Sequence, residues 1–327
     1  MRPPLPLPPA DEAHIPGMLL IRTGDDDDVW DDVLSRMGEL PGMRGPGQAS
    51  VSDAGSETSL PRRLIVTSDP AWRGASDRDV AAALGQPGVW VPDVVLLTDD
   101  RTEDNPQDRP LLAYDSREDF DAFWITPRQA AMTYLALHHP CVSWAIIRFV
   151  DQAPTDLAYE LEEEDEVDED CFYEPMGAKM EALDNPPRYT RPARALPLLD
   201  HKWDLLVRTD FTDDAAWAAL LETVSRPAHT DPTENFLDQL TVVNDPAFAG
   251  ATPEQVLAQV RHTPDKGDLV ADVVLIADSA ALNEPGGPVL AVPLADDIGL
   301  TFRVAASSVG VMLPNLGLSN MDISDWR

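Results

Sequence analysis

Leu205-Leu206-Val207-Arg208-Thr209 is a short apolar run that ends in an arginine, and an acidic turn and Trp217 follow it. The first half of the chain contains the same pattern as Leu19-Leu20-Ile21-Arg22-Thr23, followed by a run of acids and Trp30. An apolar run favours a buried strand, and Asp213 before a helical apolar periodicity is typical of a helix N-cap. Both halves therefore predict a strand, a turn and a helix in succession.

Two further stretches recur in the same order along the two halves of the chain. They are Asp69 to Ser76, which recurs as Asp245 to Thr252, and Asp93 to Leu97, which recurs as Asp272 to Ile276. A shared order of motifs is typical of an internal repeat, so the sequence predicts two tandem copies of one domain. A chain of 327 residues with 43% apolar content is long enough to bury two ordinary cores.

Strands and helices alternate within each copy. Val270 to Ile276 is a nearly continuous apolar run, which is typical of a parallel strand covered by helices on both faces. Pro288 to Val292 and Leu300 to Val304 follow as further strands, and a helix from Ala306 is expected to end near Pro314. The predicted fold class is α/β, with two tandem similar three-layer domains, each a mainly parallel βαβαβ sheet extended by additional edge strands.

Composition divides the chain into a tail, two copies and a linker. The predicted segments are a Pro-rich tail at 1–17, a degenerate first copy at 18–150 with a mobile Gly/Ser/Pro-rich insertion at 41–61, an acidic and Pro-rich linker at 151–197, and a second copy at 198–327. We expect the two copies to pack against each other as an internal pseudo-dimer.

Two blocks of the second copy resemble a known family. Arg208-Thr209-Asp210-Phe211 and the stretch Asn315 to Ile323 are similar to the opening RTDF and closing NLSxxNMDF blocks of an uncharacterised bacterial family of domains of unknown function. The resemblance covers essentially all of 198–327. The first copy departs from it, since Gly24 stands where the opening block has its aspartate. The resemblance implies the domain boundaries and assigns no catalytic residue.

The chain is strongly acidic. Its 24 lysines and arginines against 58 aspartates and glutamates leave a formal charge of −34, so nucleic acid and anionic membranes should repel it. The expected partner is a basic protein, bound by a non-enzymatic immunity-type or regulatory factor. Solubility, or adaptation to a salty cytoplasm, is the competing interpretation of the charge. The candidate partner-binding residues lie in the linker and are Glu162, Glu163, Glu164, Asp165 and Glu166.

Cysteine usage and hydropathy predict a cytoplasmic protein. Cys141 and Cys171 are the only cysteines, which excludes a disulfide framework. The prolines between Pro3 and Pro9 do not fit the helical core of a signal peptide, and the chain contains no apolar stretch long enough for a membrane span.

Strand-end aspartates provide the alternative function. Asp210 and Asp213 follow the first strand of the second copy and Asp278 follows its third, where doubly wound sheets place their sites. Carboxylates suit Mg²⁺, so the alternative is a divalent-metal-dependent receiver-like or phospho-transfer domain. Two features weigh against it: aspartates also cap helices, and the only late-strand cation, Arg303, is expected in mid-strand.

A histidine pair is the remaining metal candidate. His138 and His139 are separated from Cys141 by one proline, and imidazole and thiolate are zinc ligands. The other histidines and the second cysteine are scattered singly, so the sequence offers no second cluster to complete four ligands.

Overall fold

A computed structural model of the chain describes most of both copies. The described residues are 2–43, 60–116, 122–139, 187, 189–190, 192–201, 204–226, 236–262, 273–294 and 298–326. Within them the chain forms two five-stranded sheets, one for each copy, and a separate two-stranded sheet.

The first copy is a mixed sheet between helical layers. Its elements are β1 (Gly17–Ile21), α1 (Asp27–Met37), β2 (Arg63–Thr67), α2 (Asp77–Leu84), β3 (Val94–Leu97), α3 (Asp100–Asp104), β4 (Leu111–Asp115), β5 (Phe123–Ile125) and α4 (Pro127–Leu135). The strand order is β2-β1-β3-β4-β5. The first three strands are parallel, and β4 and β5 extend the sheet as antiparallel strands.

The second copy repeats this order. Its elements are β6 (Leu199–His201), β7 (Asp204–Arg208), α5 (Asp214–Ser225), β8 (Leu240–Val243), α6 (Pro253–Leu257), β9 (Val260–His262), β10 (Val273–Ala277), α7 (Ser279–Asn283), β11 (Val289–Pro293), β12 (Phe302–Val304) and α8 (Ala306–Gly317). The main sheet runs β12-β11-β10-β7-β8, while β6 and β9 pair with each other in parallel. The predicted fold class, with parallel strands extended by edge strands in two tandem domains, is confirmed.

Local capping explains where the helices begin. Asp26 and Asp213 accept hydrogen bonds from the first backbone amides of α1 and α5. Ser76 and Thr252 form capping boxes at α2 and α6, which are therefore equivalent helices. These contacts involve residues close in sequence, which is why the pattern predicts them.

The predicted end of the last helix near Pro314 is wrong. Helix α8 continues to Gly317 with Pro314 inside it, although a proline in a helix interior costs about 3 kcal/mol. Leu313 and Leu316, on either side of the proline, are both buried in the core of the second copy. Burial of this apolar face offsets the missing backbone hydrogen bond.

The segment before each first strand belongs to the fold. Arg2 donates hydrogen bonds to the carbonyls of Ala71, Arg73 and Gly74, and Leu5 is buried in the same cluster as Trp72. In the second copy, Arg194 donates to the carbonyl of Ala247, the counterpart of Ala71, and to that of Pro246 beside it. The Pro-rich stretch expected to be a tail is therefore packed onto the first copy.

Each sheet packs one face within its own copy, which we call its private face, and the other face into a cluster shared by both copies. Leu19 and Ile21 of β1 pack in a cluster made of the first copy alone, and Leu206 of β7 packs in one made of the second. Their neighbours Leu20 and Leu205 lie in a third cluster that contains residues of both copies. Because successive strand residues point to opposite faces, the shared cluster joins the two sheets.

The two copies contact each other through different faces. The first copy contributes α1 and α4 to the shared cluster, while the second contributes Phe248 and α6. The counterparts of α1 and α4 in the second copy, α5 and α8, pack on its private side. A contact between unlike faces is heterologous, unlike the self-complementary contact of a two-fold dimer.

Two buried arginines of the first copy cross this contact. Arg62 is fully buried and donates to the carbonyls of Leu135, at the end of α4, and of Ala258, after α6. Arg128 donates to the carbonyl of Gly299 at 2.9 Å and lies 3.6 Å from the Glu254 carboxylate. Both members of this ion pair are about nine-tenths buried, so each depends on the other for compensation of its charge.

Glu254→Ala should lower the free energy of unfolding by about 3 kcal/mol, because it leaves the Arg128 guanidinium buried without its anion. Urea denaturation measures the change. Adding Arg128→Met should recover most of the loss, since no charge then remains buried. Arg78→Ala changes the matching exposed position of α2 and is the control, with an expected effect below about 0.5 kcal/mol. A Glu254→Ala loss no larger than that of the control would contradict the role of the pair.

Stability should also depend on His138 at mildly acidic pH. Burial and the nearby charges of Arg62 and Arg261 lower the pKa of His138 from 6.5 to about 3. The folded state therefore keeps His138 neutral, whereas the unfolded chain protonates it below about pH 6.5, so stability falls as pH falls through that value. The expected loss is about 1.4 kcal/mol per pH unit between pH 6.5 and 5.

Denaturant unfolding of His138→Phe and of the unsubstituted chain at several pH values isolates this contribution, because all other titrating groups cancel in the difference. The variant should show the shallower pH dependence. Parallel curves for the two chains would mean that His138 does not titrate between the folded and unfolded states.

Candidate functional site

The carboxyl ends of the parallel strands are the expected position for a site. In both sheets the first strand lies between the second and third, so the chain leaves it towards opposite sides of the sheet. Such a reversal of strand order opens a crevice between the first and third strands, where open α/β sheets bind ligands. Here the crevice lies between Thr23 and Thr98 in the first copy and between Thr209 and Ala277 in the second.

Hydrogen bonds close this crevice in each copy. The amides of Thr209 and Asp210 both donate to the carbonyl of Ala277, at 2.9 and 3.3 Å. In the first copy the Thr23 amide donates to the Thr98 hydroxyl at 2.9 Å, and the Thr23 hydroxyl donates to the Thr98 carbonyl. The backbone groups that would meet a ligand at this point therefore bond to one another.

A buried arginine fixes the loop between the first strand and the first helix. Arg208 donates to the carbonyl of Asp210 at 2.7 Å and pairs with Asp214 at 2.8 Å. Its guanidinium also lies over the rings of Phe211 and Trp217, at 4.4 and 5.4 Å from their centroids. The arginine, aspartate and phenylalanine of the opening block therefore form one structural unit.

The first copy builds the same unit with fewer rings. Arg22 donates to the carbonyls of Gly24 and Asp25 and pairs with Asp27 at 2.6 Å. Gly24, which replaces the aspartate of the opening block, contributes its carbonyl, so the loop geometry does not need that side chain. Trp30 and its counterpart in α5, Trp217, are both buried in the cores.

The three aspartates of the alternative function have separate structural contacts. Asp213 caps α5, and Asp210 accepts from the amide and hydroxyl of Thr212 at 2.8 and 2.6 Å. Asp278 caps α7 and accepts two hydrogen bonds from Arg303, at 2.7 and 2.6 Å. Sequence reasoning placed Arg303 in mid-strand and missed this bidentate pair.

Arg303 already binds the Asp278 carboxylate, which the alternative function would need as a metal ligand. Burial would raise the pKa of the Asp278 carboxyl, but the hydrogen bonds and charge of Arg303 outweigh it and hold the pKa below its ordinary value. Among the described residues, no group of three or more histidine, cysteine, aspartate or glutamate side chains is arranged to hold a metal ion. Asp213 and Asp278 are helix caps, Asp278 is also in an ion pair with Arg303, and Asp210 accepts hydrogen bonds within its own loop.

The first copy repeats this contact with a different side chain. Asp99 caps α3, and its carboxylate accepts from the indole Nε1 of Trp124 at 3.0 Å. Trp124 and Arg303 occupy the same register position, in β5 and β12. Arg101 stacks over the Trp124 ring at 4.0 Å. In each copy the aspartate after the third strand therefore binds a side chain of the fifth strand, and this aspartate was the sequence signal for the contact.

Most of the other predicted candidates lie outside the described residues. His138 lies near Arg62 and Arg261, whose positive charges oppose the binding of a cation. Cys141 lies outside the described residues. The acidic linker residues proposed to bind a partner, Glu162, Glu163, Glu164, Asp165 and Glu166, also lie outside them.

An acidic surface was not singled out from the sequence. We define the acidic edge as the carboxylates that surround the carboxyl ends of β1 and β3 of the first copy, namely Asp25, Asp26, Asp27, Asp28, Asp100, Glu103 and Asp104. The Asp25 amide donates to the Glu103 carboxylate at 2.9 Å, which joins the loop before α1 to α3. The side chains of Asp25 and Asp27 are about four-fifths exposed.

Arg208→Lys should lower the free energy of unfolding by roughly 2 kcal/mol, because lysine loses the planar fork that reaches the loop carbonyls and stacks on the rings. Asp214→Asn is the matched control. Its side chain is about nine-tenths exposed, so the lost ion pair should cost less than about 1 kcal/mol. Thermal or urea unfolding compares the two, and equal losses would show that the ion pair, rather than the carbonyl contacts, holds the loop.

Comparison with known proteins agrees with the repeat in the fold. Residues 17–157 and 204–327 each match the model of a family described as a domain of unknown function, DUF6924. No curated protein and no solved structure matches the chain. None of the described helices is long and apolar enough to cross a membrane. The matched regions take up most of the sequence and confirm the predicted family resemblance, so the chain belongs to the DUF6924 family and carries two copies of its domain in tandem.

Proposed function

We propose that the protein is a non-enzymatic, acidic interaction protein of the immunity or regulatory type, which binds a basic surface on another protein in the cytoplasm. The observation that carries the proposal is the acidic edge, where Asp25, Asp26, Asp27 and Asp28 are consecutive and exposed. A net charge of −34 spread over the chain adds to the field of this edge.

The acidic edge is held in a fixed shape. Asp26 caps α1, Asp99 caps α3, and the Glu103 carboxylate accepts from the Asp25 amide. These contacts leave the other carboxylates of the edge at defined positions on rigid elements. A fixed array of like charges favours one complementary cationic surface over a diffuse counterion cloud, so it contributes to specificity as well as to encounter rate.

Cations near the acidic edge compensate it only in part. Arg22 is buried and pairs with Asp27, and Arg73 pairs with Asp25 at 3.0 Å. Both partner carboxylates remain about four-fifths exposed, so water and salt screen part of the attraction in each ion pair. An incoming arginine or lysine can therefore still interact with this surface.

The acidic linker is the second element of the proposed mechanism. Glu162, Glu163, Glu164, Asp165 and Glu166 form the densest acidic run of the chain. In the proposal this run attracts a basic partner from a distance, and the paired domains supply the shape against which the partner docks. Two of the strand-end aspartates support a non-enzymatic role, because Asp213 and Asp278 cap helices and Asp278 also pairs with Arg303.

Neutralising the acidic edge by Asp28→Asn, Asp100→Asn and Asp104→Asn should slow association about tenfold at low salt and flatten its salt dependence. Stopped-flow or surface-based kinetics with polylysine, and with a basic protein captured from the host cell lysate, measure both effects. The linker is tested in the same way by replacing its four glutamates at positions 162, 163, 164 and 166 with Gln and Asp165 with Asn.

The control removes the same charge elsewhere, with Glu12→Gln, Glu39→Gln and Glu222→Gln at exposed positions outside the acidic edge. It should leave the association rate within about twofold. If edge, linker and control variants all behave alike, only overall charge acts, and the proposed docking is overturned.

A further inference from the structure

The outer face of α8 is apolar in a chain that is otherwise highly charged. We define the α8 face as Ser307, Val311, Pro314 and Leu318, which follow one another at helical spacing. Val311 and Leu318 are 37% and 62% exposed and are two of the three large hydrophobic residues exposed in the described chain. No charged residue occurs between Val304 and Met321, although a quarter of all residues are charged.

The equivalent face of the first copy is an interface. The N-caps of α4 and α8 are Thr126 and Ala305, so Arg128, Met132 and Leu135 occupy the positions of Ser307, Val311 and Pro314. All three first-copy residues are buried. Arg128 reaches Glu254 and Gly299 of the second copy, which shows what covers this side of α4.

The surface that α4 packs against also has an exposed counterpart in the other copy. In the second copy it is α6, whose Leu257 and Ala258 are buried in the shared cluster. In the first copy the equivalent helix is α2, where the matching residues Ala81 and Ala82 are exposed. We define the α2 face as Arg78, Ala81 and Ala82. Because the contact between the copies is heterologous, each copy keeps one of the two contact surfaces exposed: the α2 face in the first copy and the α8 face in the second.

We propose that the α8 face of one chain docks onto the α2 face of a second copy of the chain, head to tail, and so repeats the contact that joins the two copies within a chain. This surface is separate from the acidic edge and does not depend on the proposed function. Its occupant is another copy of the same domain because the fold already seats that domain on the equivalent helix.

Charge makes this contact weaker than the internal one. The buried pair Arg128–Glu254 has Ser307 and Arg78 as its counterparts, so the docked faces contain neither an ion pair nor two like charges. Two chains of charge −34 repel each other at long range, and salt screens that repulsion. Self-association should therefore strengthen as salt rises, whereas binding to a basic partner should weaken.

Sedimentation equilibrium of the full chain, from about 1 to 500 µM and at low and high salt, tests the proposal. The unsubstituted chain should associate, and more strongly at high salt. Val311→Asp on the α8 face and Ala82→Glu on the α2 face should each weaken association at least tenfold, roughly the effect of placing one charge in a small apolar contact. Leu198→Asp adds the same charge at an exposed apolar residue elsewhere and should stay within about twofold.

Mixing the two face variants tests whether the contact is head to tail. Val311→Asp leaves an intact α2 face and Ala82→Glu leaves an intact α8 face, so the mixture should form dimers with unchanged affinity and no larger species. Circular dichroism confirms that each variant is folded. The proposal is overturned if the unsubstituted chain is monomeric throughout, if the control weakens association as much as the face variants, or if Ala82→Glu alone associates normally, as a two-fold contact between α8 faces would allow.

Discussion

Burial of both faces of each parallel sheet is the constraint on which the rest of the structure depends. A strand such as β1 or β7 carries apolar side chains on both sides, so each sheet must be covered twice. In the described chain, one face of each sheet packs into a cluster that contains residues of both copies. The contact between the copies is therefore part of the core rather than an addition to it.

Arginine carries the polar part of this core. Arg22 and Arg208 hold the loops after the first strands, while Arg62 and Arg128 join the two copies. A guanidinium has five donors in one plane, so a single buried side chain can satisfy several carbonyls that the helix and strand ends leave without partners. The polar residues at the strand ends are thus used for structure, and the usual crevice of a doubly wound sheet is closed by them.

Charge is distributed unevenly over the outer surface. Carboxylates crowd the carboxyl ends of the first sheet, whereas the outer side of α8 has none. One surface suits a cationic partner and the other suits a neutral, apolar one, and salt acts on them in opposite directions. Duplication allows this division, because one copy can change a face that the other copy still needs for packing.

The sequence by itself determined the duplication, the order of the main-sheet strands and longer helices, and the family. These features follow from the spacing of apolar residues and from helix caps such as Thr252, whose contacts join residues close together in the sequence. Only the tertiary structure decided which faces of the copies meet, that Arg303 binds Asp278, and that α8 continues beyond Pro314. Each of these depends on side chains far apart in sequence, whose packing energy outweighs the local preference that a pattern can express.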